Sequence, residues 1–417
     1  MRLRTVLSVL LVCGALLGVV YVGLDDAGDT LSVTWTSDTA VDAGGNHHEP
    51  AVAVVDGKPM VYAPISSSRV ADQCEVVALS GDTGEREWNY RVPQASCTLH
   101  SVADPTVVDY DTDGTREVLA ASTEREVIAF GPMDGAVERR FPLTDYGYTT
   151  PIVADVAVDA PGENDTATDE MLVADVNGFV QAIRPNGSVA WSVNRSTYVW
   201  ATPAVGDLDS DGETEAAVAG RDGLLAAYDR TGDTEWERDT GESMTWLTSG
   251  QLDDDPAIEL VGGSQSGSVV AWDGATGAQE WRYETALLSA VHAIGAVDGD
   301  PTVFATAADG SLVALDGNTG EVRWKTTVTT EKVQMMPPPV LGDVDGDRED
   351  ELVVAANDGT VAVYNPETGE VLASHERDVD ILAHPVLHDV DDDSAKELFV
   401  IYADGRIQRF DYEGSEN

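Results

Sequence analysis

Four segments of the chain carry acidic side chains at one common spacing, and this pattern is typical of a calcium loop. In each segment, acidic residues occupy positions 1, 3, 5 and 9. They are Asp109, Asp111, Asp113 and Glu117; Asp207, Asp209, Asp211 and Glu215; Asp343, Asp345, Asp347 and Glu351; and Asp389, Asp391, Asp393 and Glu397. Ca²⁺ takes about six to eight oxygen ligands, and alternating carboxylates on a tight loop can direct several of them at one ion. The spacing predicts structural Ca²⁺ sites, with an acidic surface turn as the alternative.

The residue at position 6 differs between these loops. Gly114 and Gly212 suit a tight turn. Arg348 and Ser394 stand at the same position in the other two loops, which therefore match the calcium-loop pattern less well. A fifth copy is degenerate and consists of Gln251, Asp253, Asp255 and Glu259.

A second set of chemically capable residues lies in the segments between sequence repeats, which hold five of the seven histidines. The members predicted to line a ligand or partner face are His48, His100, Tyr148, Trp200, Trp246, His292, Met336 and His384. Aromatic and methionine side chains around an opening suit such a site, and packing around the opening is the alternative. His47 and His48, beside Glu49, would bind a transition metal only with a third ligand, which the local spacing does not supply.

The remaining candidate sites concern export. Cys74 and Cys97 fall within one repeat, where either a disulfide in an oxidising compartment or two buried thiols would fit. Three Asn-X-Ser/Thr triplets predict surface glycans if the chain is exported. They begin at Asn164, Asn186 and Asn194.

A repeat of about fifty residues must position all these groups. Turn glycines followed by a short strand occur at Gly84, Gly135, Gly187, Gly232, Gly277, Gly320, Gly369 and Gly414, between 43 and 52 residues apart. No interval shows a helical stripe of apolar residues, so the chain is all-β. One four-stranded sheet cannot bury both its faces, whereas a ring of sheets can. The repeat therefore predicts an eight-bladed β-propeller.

The predicted blades are residues 50–97, 104–145, 150–197, 202–242, 246–286, 291–331, 338–378 and 384–414 plus 30–37. The last copy ends without a fourth strand, and residues 31–36 resemble the fourth strands of other copies. We expect this N-terminal strand to complete the last blade and close the ring, which removes two sheet edges.

Two features of the repeat predict where side chains lie. Tryptophan follows the turn glycine by four residues at Trp88, Trp191, Trp236, Trp281 and Trp324, and we expect these side chains to form wedges between blades. In a blade the first and third loops open on one face, and the second loop and the inter-blade link open on the other. The acidic loops and Thr-Gly turns should thus share one face, opposite the histidine and aromatic segments.

The copies resemble the PQQ-like repeats of quinoprotein alcohol dehydrogenases, in which a strand ends in Ala-x-Asp and is followed by Thr-Gly-x-x-x-Trp, as in residues 314–324. The acidic loops also resemble FG-GAP/VCBS repeats. The resemblance covers residues 30–417 and implies the propeller fold. It also implies that a quinone-dependent member would carry two adjacent cysteines and a catalytic aspartate beside quinone-bound Ca²⁺. This sequence has no adjacent cysteines and no position that matches that aspartate, so we do not expect pyrroloquinoline quinone.

Charge restricts the partners. The chain has 75 acidic and 24 basic residues and a net charge of −51, which disfavours nucleic acid because phosphate binding needs a cationic surface. Repulsion on this scale is relieved by dense counterions, which predicts a halophilic protein of haloarchaeal origin.

The N-terminus predicts a membrane location. Residues 6–24 contain no charge and are long enough to cross a bilayer, and Arg2 and Arg4 precede them. We expect residues 1–28 to anchor the protein with its N-terminus inside and residues 29–417 outside. A cleaved signal peptide, which would give a secreted protein, is the alternative.

Together these features predict a membrane-anchored, non-enzymatic binding or scaffold protein that holds a protein or envelope partner on one face of the propeller. A PQQ-dependent dehydrogenase-like enzyme and a Ca²⁺-dependent adhesion protein are the alternatives. The sequence offers no Ser/His/Asp order, phosphate-cradling glycine loop or cysteine metal cluster that would suggest another enzyme class.

Overall fold

The computed structural model describes residues 29–41, 45–67, 73–158, 169–331 and 333–414. Within them the chain forms thirty-two β-strands in eight four-stranded antiparallel sheets. The predicted all-β, eight-bladed propeller is confirmed. No helix among the described residues is long and apolar enough to cross a membrane. The predicted anchor at residues 1–28, with its apolar run at 6–24, lies outside the described residues.

The first four blades follow one another along the chain. Blade 1 consists of β2 (Ala51–Val55), β3 (Lys58–Ile65), β4 (Glu75–Ser80) and β5 (Arg86–Arg91). Blade 2 consists of β6 (Thr106–Val108), β7 (Glu117–Ser122), β8 (Glu126–Phe130) and β9 (Val137–Pro142). Blade 3 consists of β10 (Ile152–Ala154), β11 (Glu170–Ala174), β12 (Phe179–Ile183) and β13 (Val189–Asn194). Blade 4 consists of β14 (Ala204–Gly206), β15 (Glu215–Ala219), β16 (Leu224–Tyr228) and β17 (Thr234–Asp239).

The remaining blades continue the order, and the first strand of the chain joins the last blade. Blade 5 consists of β18 (Met244–Gly250), β19 (Glu259–Ser264), β20 (Ser268–Trp272) and β21 (Gln279–Glu284). Blade 6 consists of β22 (Ala290–Val297), β23 (Asp300–Thr306), β24 (Ser311–Asp316) and β25 (Val322–Thr327). Blade 7 consists of β26 (Val340–Gly342), β27 (Glu351–Ala355), β28 (Thr360–Tyr364) and β29 (Val371–Glu376). Blade 8 consists of β30 (Val386–His388), β31 (Glu397–Ile401), β32 (Ile407–Glu413) and β1 (Thr30–Thr36).

Burial within a blade follows from its position in the ring. The second strands, such as β27, are buried along their whole length because neighbouring blades cover both faces. The outermost strands are mostly exposed, and in β17 only Trp236 is buried. Continuous apolar runs therefore mark the inner strands, and a single tryptophan marks the outer ones.

The N-terminal strand closes the ring as predicted. β1 pairs antiparallel with β32, so that Val33 lies opposite Phe410. It occupies the outermost position of blade 8, where every other blade uses a strand from its own repeat. The pairing of the first and last strands of the propeller therefore closes the ring.

The tryptophans lie between blades, as their spacing predicted. Each of five indole N–H groups donates to a backbone carbonyl in a turn of the following blade. The pairs are Trp35 with Gly81, Trp88 with Pro132, Trp236 with Gly274, Trp281 with Gly317 and Trp324 with Pro366. Trp191 packs against the turn glycine of the next blade but donates to Val156 in its own blade. Each wedge is therefore both an apolar contact and a directional hydrogen bond.

A disulfide joins Cys74 and Cys97. It connects the second loop of blade 1 to the link that leads into blade 2, on the face that carries the histidines.

Candidate functional site

The inter-blade links and second loops lie at one end of the propeller, which we call the mouth face. The acidic loops and the Thr-Gly turns lie at the other end, because consecutive antiparallel strands alternate between the two ends. The mouth face surrounds a cavity of about 320 Å³. Residues from several blades line it, among them His47, Glu49, Asp104, Trp246, His292 and His384.

The structure brings the predicted mouth residues together. A second cavity of about 210 Å³ lies between Trp200, Trp246 and Met335, and a third of about 80 Å³ is lined by His48 and Tyr148 among others. His100 contacts this group through the Tyr148 ring, with the ring centres 5.2 Å apart.

Met336 is the exception among the predicted mouth residues. It is fully buried in the core between blades 6 and 7, with Phe304 and Leu352. It reaches the mouth only as part of the wall of the second cavity, whereas its neighbour Met335 lines both smaller cavities. Adjacent residues of the link point in different directions, so only one of the two methionines faces the opening.

Asp104 organises the first side of the mouth. Its Oδ1 atom accepts hydrogen bonds from His48 Nδ1 at 2.9 Å and from the Glu49 backbone N–H at 2.8 Å. Burial alone would raise the pKa of Asp104, but His48 and the Glu49 N–H outweigh it and lower that pKa. The carboxylate therefore stays ionised beneath the histidines.

A buried ion pair forms the second side. His384 Nε2 lies 2.7 Å from Glu49 Oε2, and His384 Nδ1 donates to the Pro385 carbonyl at 3.0 Å. Burial alone would lower the pKa of His384, but the Glu49 charge and these hydrogen bonds raise it to about 9. The His384 ring also stacks on His292, with ring centres 4.8 Å apart, although the two residues belong to blades 8 and 6.

His47 and His100 have the opposite electrostatic character. Burial, with the nearby His48 and His100, lowers the pKa of His47 to about 3. Burial and His48 lower the pKa of His100 to about 4. Both rings are thus neutral at physiological pH. A neutral imidazole can accept a hydrogen bond or bind a metal.

The aromatic rim extends further than the sequence predicted. Tyr198 lies between Tyr148 and Trp200, and the exposed Arg221 guanidinium stands 5.7 Å from the Tyr198 ring centre and 5.8 Å from the Trp200 ring centre. Leu287, in the link before β22, is 64% exposed. Exposed aromatic, arginine and leucine side chains on one face are typical of a protein-binding surface.

Glu49 and Asp104 were not among the predicted mouth residues, yet a simple signal marks them. Both stand directly before the proline that precedes the first strand of a blade, as do Thr150, Thr202 and His384. A residue before proline is held in an extended conformation. In these five blades its side chain lines the cavity.

The acidic loops on the opposite face share one hydrogen-bond pattern. The Glu at position 9 accepts the backbone N–H of position 2, in the pairs Glu117 with Tyr110, Glu215 with Leu208, Glu351 with Val344 and Glu397 with Val390, at 2.8 to 3.0 Å. The Asp at position 1 accepts the N–H of position 6, in the pairs Asp109 with Gly114, Asp207 with Gly212, Asp343 with Arg348 and Asp389 with Ser394. These hydrogen bonds from the backbone to the carboxylates stabilise the conformation of the loop.

The loops with Arg348 and Ser394 have the same backbone as the glycine loops. Position 6 has φ of +93° at Gly114, +92° at Gly212, +78° at Arg348 and +82° at Ser394. Thus, the departure in sequence does not change the loop conformation.

Oxygen atoms converge in these loops. One oxygen from each of Asp109, Asp111, Asp113 and Glu117 lies within 4.8 Å of the others. Groups of three meet the same condition at Asp207, Asp209 and Glu215, at Asp343, Asp345 and Asp347, and in the degenerate loop at Asp253, Asp255 and Glu259. Among the described residues, the buried Oδ1 atoms of Asp109 and Asp207 have no hydrogen-bond partner. These arrangements suit Ca²⁺.

Two of the three predicted glycan sites are exposed. Asn186 and Asn194 stand at the surface, and their Oδ1 atoms accept the N–H of Ser188 and Ser196, respectively, each at 2.8 Å. Asn164 lies outside the described residues.

The fold and its repeats define a PQQ-like propeller. Residues 159–303 and 221–378 match a family model described as outer membrane protein assembly factor BamB. These matches cover more than half of the chain, which therefore belongs to this family. No curated protein sequence matches the chain significantly.

Solved structures of several proteins share the fold. BamB from Moraxella catarrhalis matches at a TM-score of 0.60 with 17% identity, over 93% of this chain and 99% of that one. The Vibrio cholerae biofilm matrix protein Bap1 matches at 0.67 with 13% identity, over 93% and 91%. The quinohemoprotein alcohol dehydrogenase from Comamonas testosteroni matches at 0.62 with 12% identity, over 93% and 78%. At these identities the likeness is one of fold.

The cysteines do not fit the quinone site of such dehydrogenases. The chain has cysteines only at positions 13, 74 and 97, so no two are adjacent, and Cys74 is bonded to Cys97. The chain therefore lacks the adjacent cysteine pair that the resemblance implies for a quinone-dependent member.

Proposed function

We propose that this protein is a non-enzymatic binding or scaffold protein that holds a protein or envelope partner against its mouth face. The observation that carries the proposal is the mouth itself. Side chains from most of the blades converge around adjoining cavities, and aromatic rings with an adjacent arginine lie at their edge. The same face carries an exposed leucine, Leu287. Aromatic residues, methionine and arginine are the residue types enriched in protein interfaces.

We further propose that residues 6–24 anchor the propeller to the membrane, with the mouth outside the cell. The uncharged run follows two arginines, which favours an internal N-terminus. The disulfide at Cys74 and Cys97 is in keeping with an oxidising compartment. Family membership supports a role through protein contact, because the family model is described as an assembly factor.

The acidic loops complete the proposal as structural Ca²⁺ sites. They lie at the end of the propeller opposite the mouth, and each connects the first two strands of a blade. A bound ion there would neutralise converging carboxylates and stabilise a loop without touching the partner.

Capture of the partner from host membranes at native salt tests the binding face. The tagged full-length protein is compared with a double variant, Trp200→Ala and Trp246→Ala, and with Val371→Ala on the outer strand of blade 7, where Val371 is 54% exposed. We expect one stoichiometric partner with the wild type and with Val371→Ala, and at least a tenfold loss with the double variant. Equal recovery by the double variant, or retention of a small molecule with no protein partner, would contradict the proposal.

A further inference from the structure

Three histidines converge at the edge of the mouth, from two different links. His47 and His48 precede blade 1, and His100 precedes blade 2. One ring nitrogen from each lies within 4.8 Å of the other two. His47 Nε2 and His100 Nδ1 are 2.6 Å apart. The third ligand that the sequence could not supply is therefore His100, 53 residues beyond His47.

Hydrogen bonds occupy the Nδ1 atoms of His47 and His48. His47 donates its Nδ1–H to the Gly45 carbonyl at 2.8 Å, which leaves Nε2 as the free lone pair. His48 donates its Nδ1–H to the Asp104 carboxylate at 2.9 Å, so Nε2 is its other ring nitrogen. Metal-binding histidines usually make this contact, in which the second nitrogen donates to a carboxylate or a backbone carbonyl.

The inner nitrogen of His48 is the observation that points to a ligand. His48 is only 5% exposed, and its Nε2 is buried with no hydrogen-bond partner among the described residues. A buried polar atom without a partner costs about 1–3 kcal/mol, so such atoms are rare in folded proteins. His48 also belongs to the group in which each histidine presents one ring nitrogen to the others.

The link that carries His100 is held in place. The disulfide fixes Cys97, three residues before it, to the second loop of blade 1. The Ser101 hydroxyl, one residue after it, donates to the Thr98 carbonyl at 2.6 Å, and the Ser101 N–H donates to the Ser66 hydroxyl at 3.2 Å. The histidine cluster is thus positioned before any ligand binds.

We propose that His47, His48 and His100 bind one divalent transition-metal ion, with Zn²⁺ as the reference ion. The metal takes the place of the proton shared by His47 Nε2 and His100 Nδ1, and His100 adopts its other neutral tautomer. Imidazole ligands favour zinc, copper and nickel over calcium, so this site differs in chemistry from the acidic loops.

The surroundings favour a cation with an open coordination position. The Asp104 carboxylate lies behind the His48 ring, with Oδ1 2.9 Å from Nδ1. His47 also lines the 320 Å³ cavity, so solvent or a partner side chain can reach a fourth position. Three protein ligands with one open position is an arrangement found in many reactive zinc sites. The metal site does not depend on the proposed function, because it needs no partner.

Metal titration of the full-length protein tests the proposal. The chelator-treated protein, in molar KCl with excess Ca²⁺ to occupy carboxylate sites, is titrated calorimetrically with Zn²⁺ and spectroscopically with Co²⁺. We expect one Zn²⁺ per chain and the visible absorption bands of nitrogen-ligated, low-symmetry Co²⁺. His48→Gln and His100→Ala should weaken Zn²⁺ binding at least 100-fold, and Asp104→Asn about 10- to 100-fold.

His375→Ala is the matched control, because His375 lies on the outermost strand of blade 7 and packs against Phe410 of blade 8 rather than against the histidine cluster. It should leave Zn²⁺ affinity unchanged. The Co²⁺ spectrum of the wild type needs no variant and so remains informative if one of them fails to fold. Sub-stoichiometric Zn²⁺ with no Co²⁺ bands would overturn the proposal, as would equal losses in His375→Ala and His100→Ala. If the full-length protein binds Zn²⁺ but captures no partner, that result contradicts only the proposed function.

Discussion

At the scale of single residues, a turn glycine and a tryptophan from the preceding blade form the contact that joins neighbouring blades. Gly320 has φ of +68°, and a Cβ atom there would lie 2.7 Å from the Trp281 ring. Gly187 occupies the equivalent turn in blade 3 with φ of +86° and has no atom within 4 Å of that position. Among the described residues, a tryptophan thus packs on Gly320 but none packs on Gly187.

Alanine substitution should separate backbone strain from lost packing. Gly187→Ala should reduce the free energy of unfolding by about 1–2 kcal/mol, because its φ is left-handed. Gly320→Ala should lose about 1–3 kcal/mol more, because the methyl group also displaces the indole. Guanidinium chloride unfolding of both variants at high salt measures the difference. Equal losses would show that the tryptophan contact contributes little.

Glu170 predicts a local pH dependence. It is 1% exposed, its Oε2 has no hydrogen-bond partner among the described residues, and Arg184 Nε stands 3.7 Å from its Oε1. Burial raises its pKa to about 7, although Arg184 acts in the opposite direction. Between pH 4.5 and 7 the unfolded chain releases this proton before the folded chain does. Stability therefore falls as pH rises through that range and stays lower above it.

Glu170→Gln should remove this penalty, since glutamine stays neutral. We expect the variant to gain up to about 3 kcal/mol over the wild type at pH 8 and little at pH 4.5. Unfolding titrations at both pH values measure it, with the exposed Glu85→Gln as the control for loss of one negative charge. A gain that is the same at both pH values would contradict the assignment.

Residue spacing predicted most mouth positions but not their pairings. His48, Trp246 and His384 were expected at the mouth because the repeat pattern assigned them to links, although Trp246 lies within β18. The Glu49–His384 ion pair and the His47–His100 contact join residues far apart in sequence, and local spacing carries no information on such pairs. The same limit applies to Met336, whose burial depends on the orientation of the link between blades 6 and 7.

At the scale of elements, the sequence specified strands and closure almost completely. Every sheet lies within its predicted blade except that β18 and β22 begin slightly earlier, at Met244 and Ala290. Repetition makes this possible, because eight copies of one turn and one apolar strand set the register many times over. The unpaired edge of blade 8 likewise specified β1 as its partner.

The acidic loops are the elements for which an ion matters most. Asp207→Asn removes a position 1 carboxylate whose buried Oδ1 has no partner among the described residues, whereas Asp254→Asn removes an exposed charge outside the loop pattern. We expect Asp207→Asn to lower the number of bound Ca²⁺ ions by about one per chain and to reduce the rise in melting temperature that Ca²⁺ causes. Asp254→Asn should change neither. Calorimetric titration at constant ionic strength measures both, and identical behaviour of the two variants would exclude Ca²⁺ from that loop.

At the scale of the whole molecule, charge should govern stability. With a net charge of −51, repulsion extends about 10 Å at 0.1 M salt and about 3 Å at 1 M. The melting temperature in KCl should therefore rise steeply up to molar concentrations and then level off. Sucrose at matched water activity, which does not screen charge, should produce a much smaller rise. Equal effects of KCl and sucrose would exclude repulsion as the cause.

The ring also determines which surface a partner can reach. Because the links of all eight blades meet at one end, residues from distant parts of the sequence form one surface there, while the outer strands face solvent separately. Leu287 on the mouth face and Val371 on an outer strand are both well exposed, at 64% and 54%. A probe at either position is therefore similarly accessible, and each tests a different surface.

A photo-crosslinking amino acid placed at position 287 or at position 371 in the host at native salt tests partner binding at the mouth most directly. We predict a discrete crosslinked partner from position 287 and none from position 371. A partner captured from position 371, with none from position 287, would contradict the assignment of the mouth as the binding face.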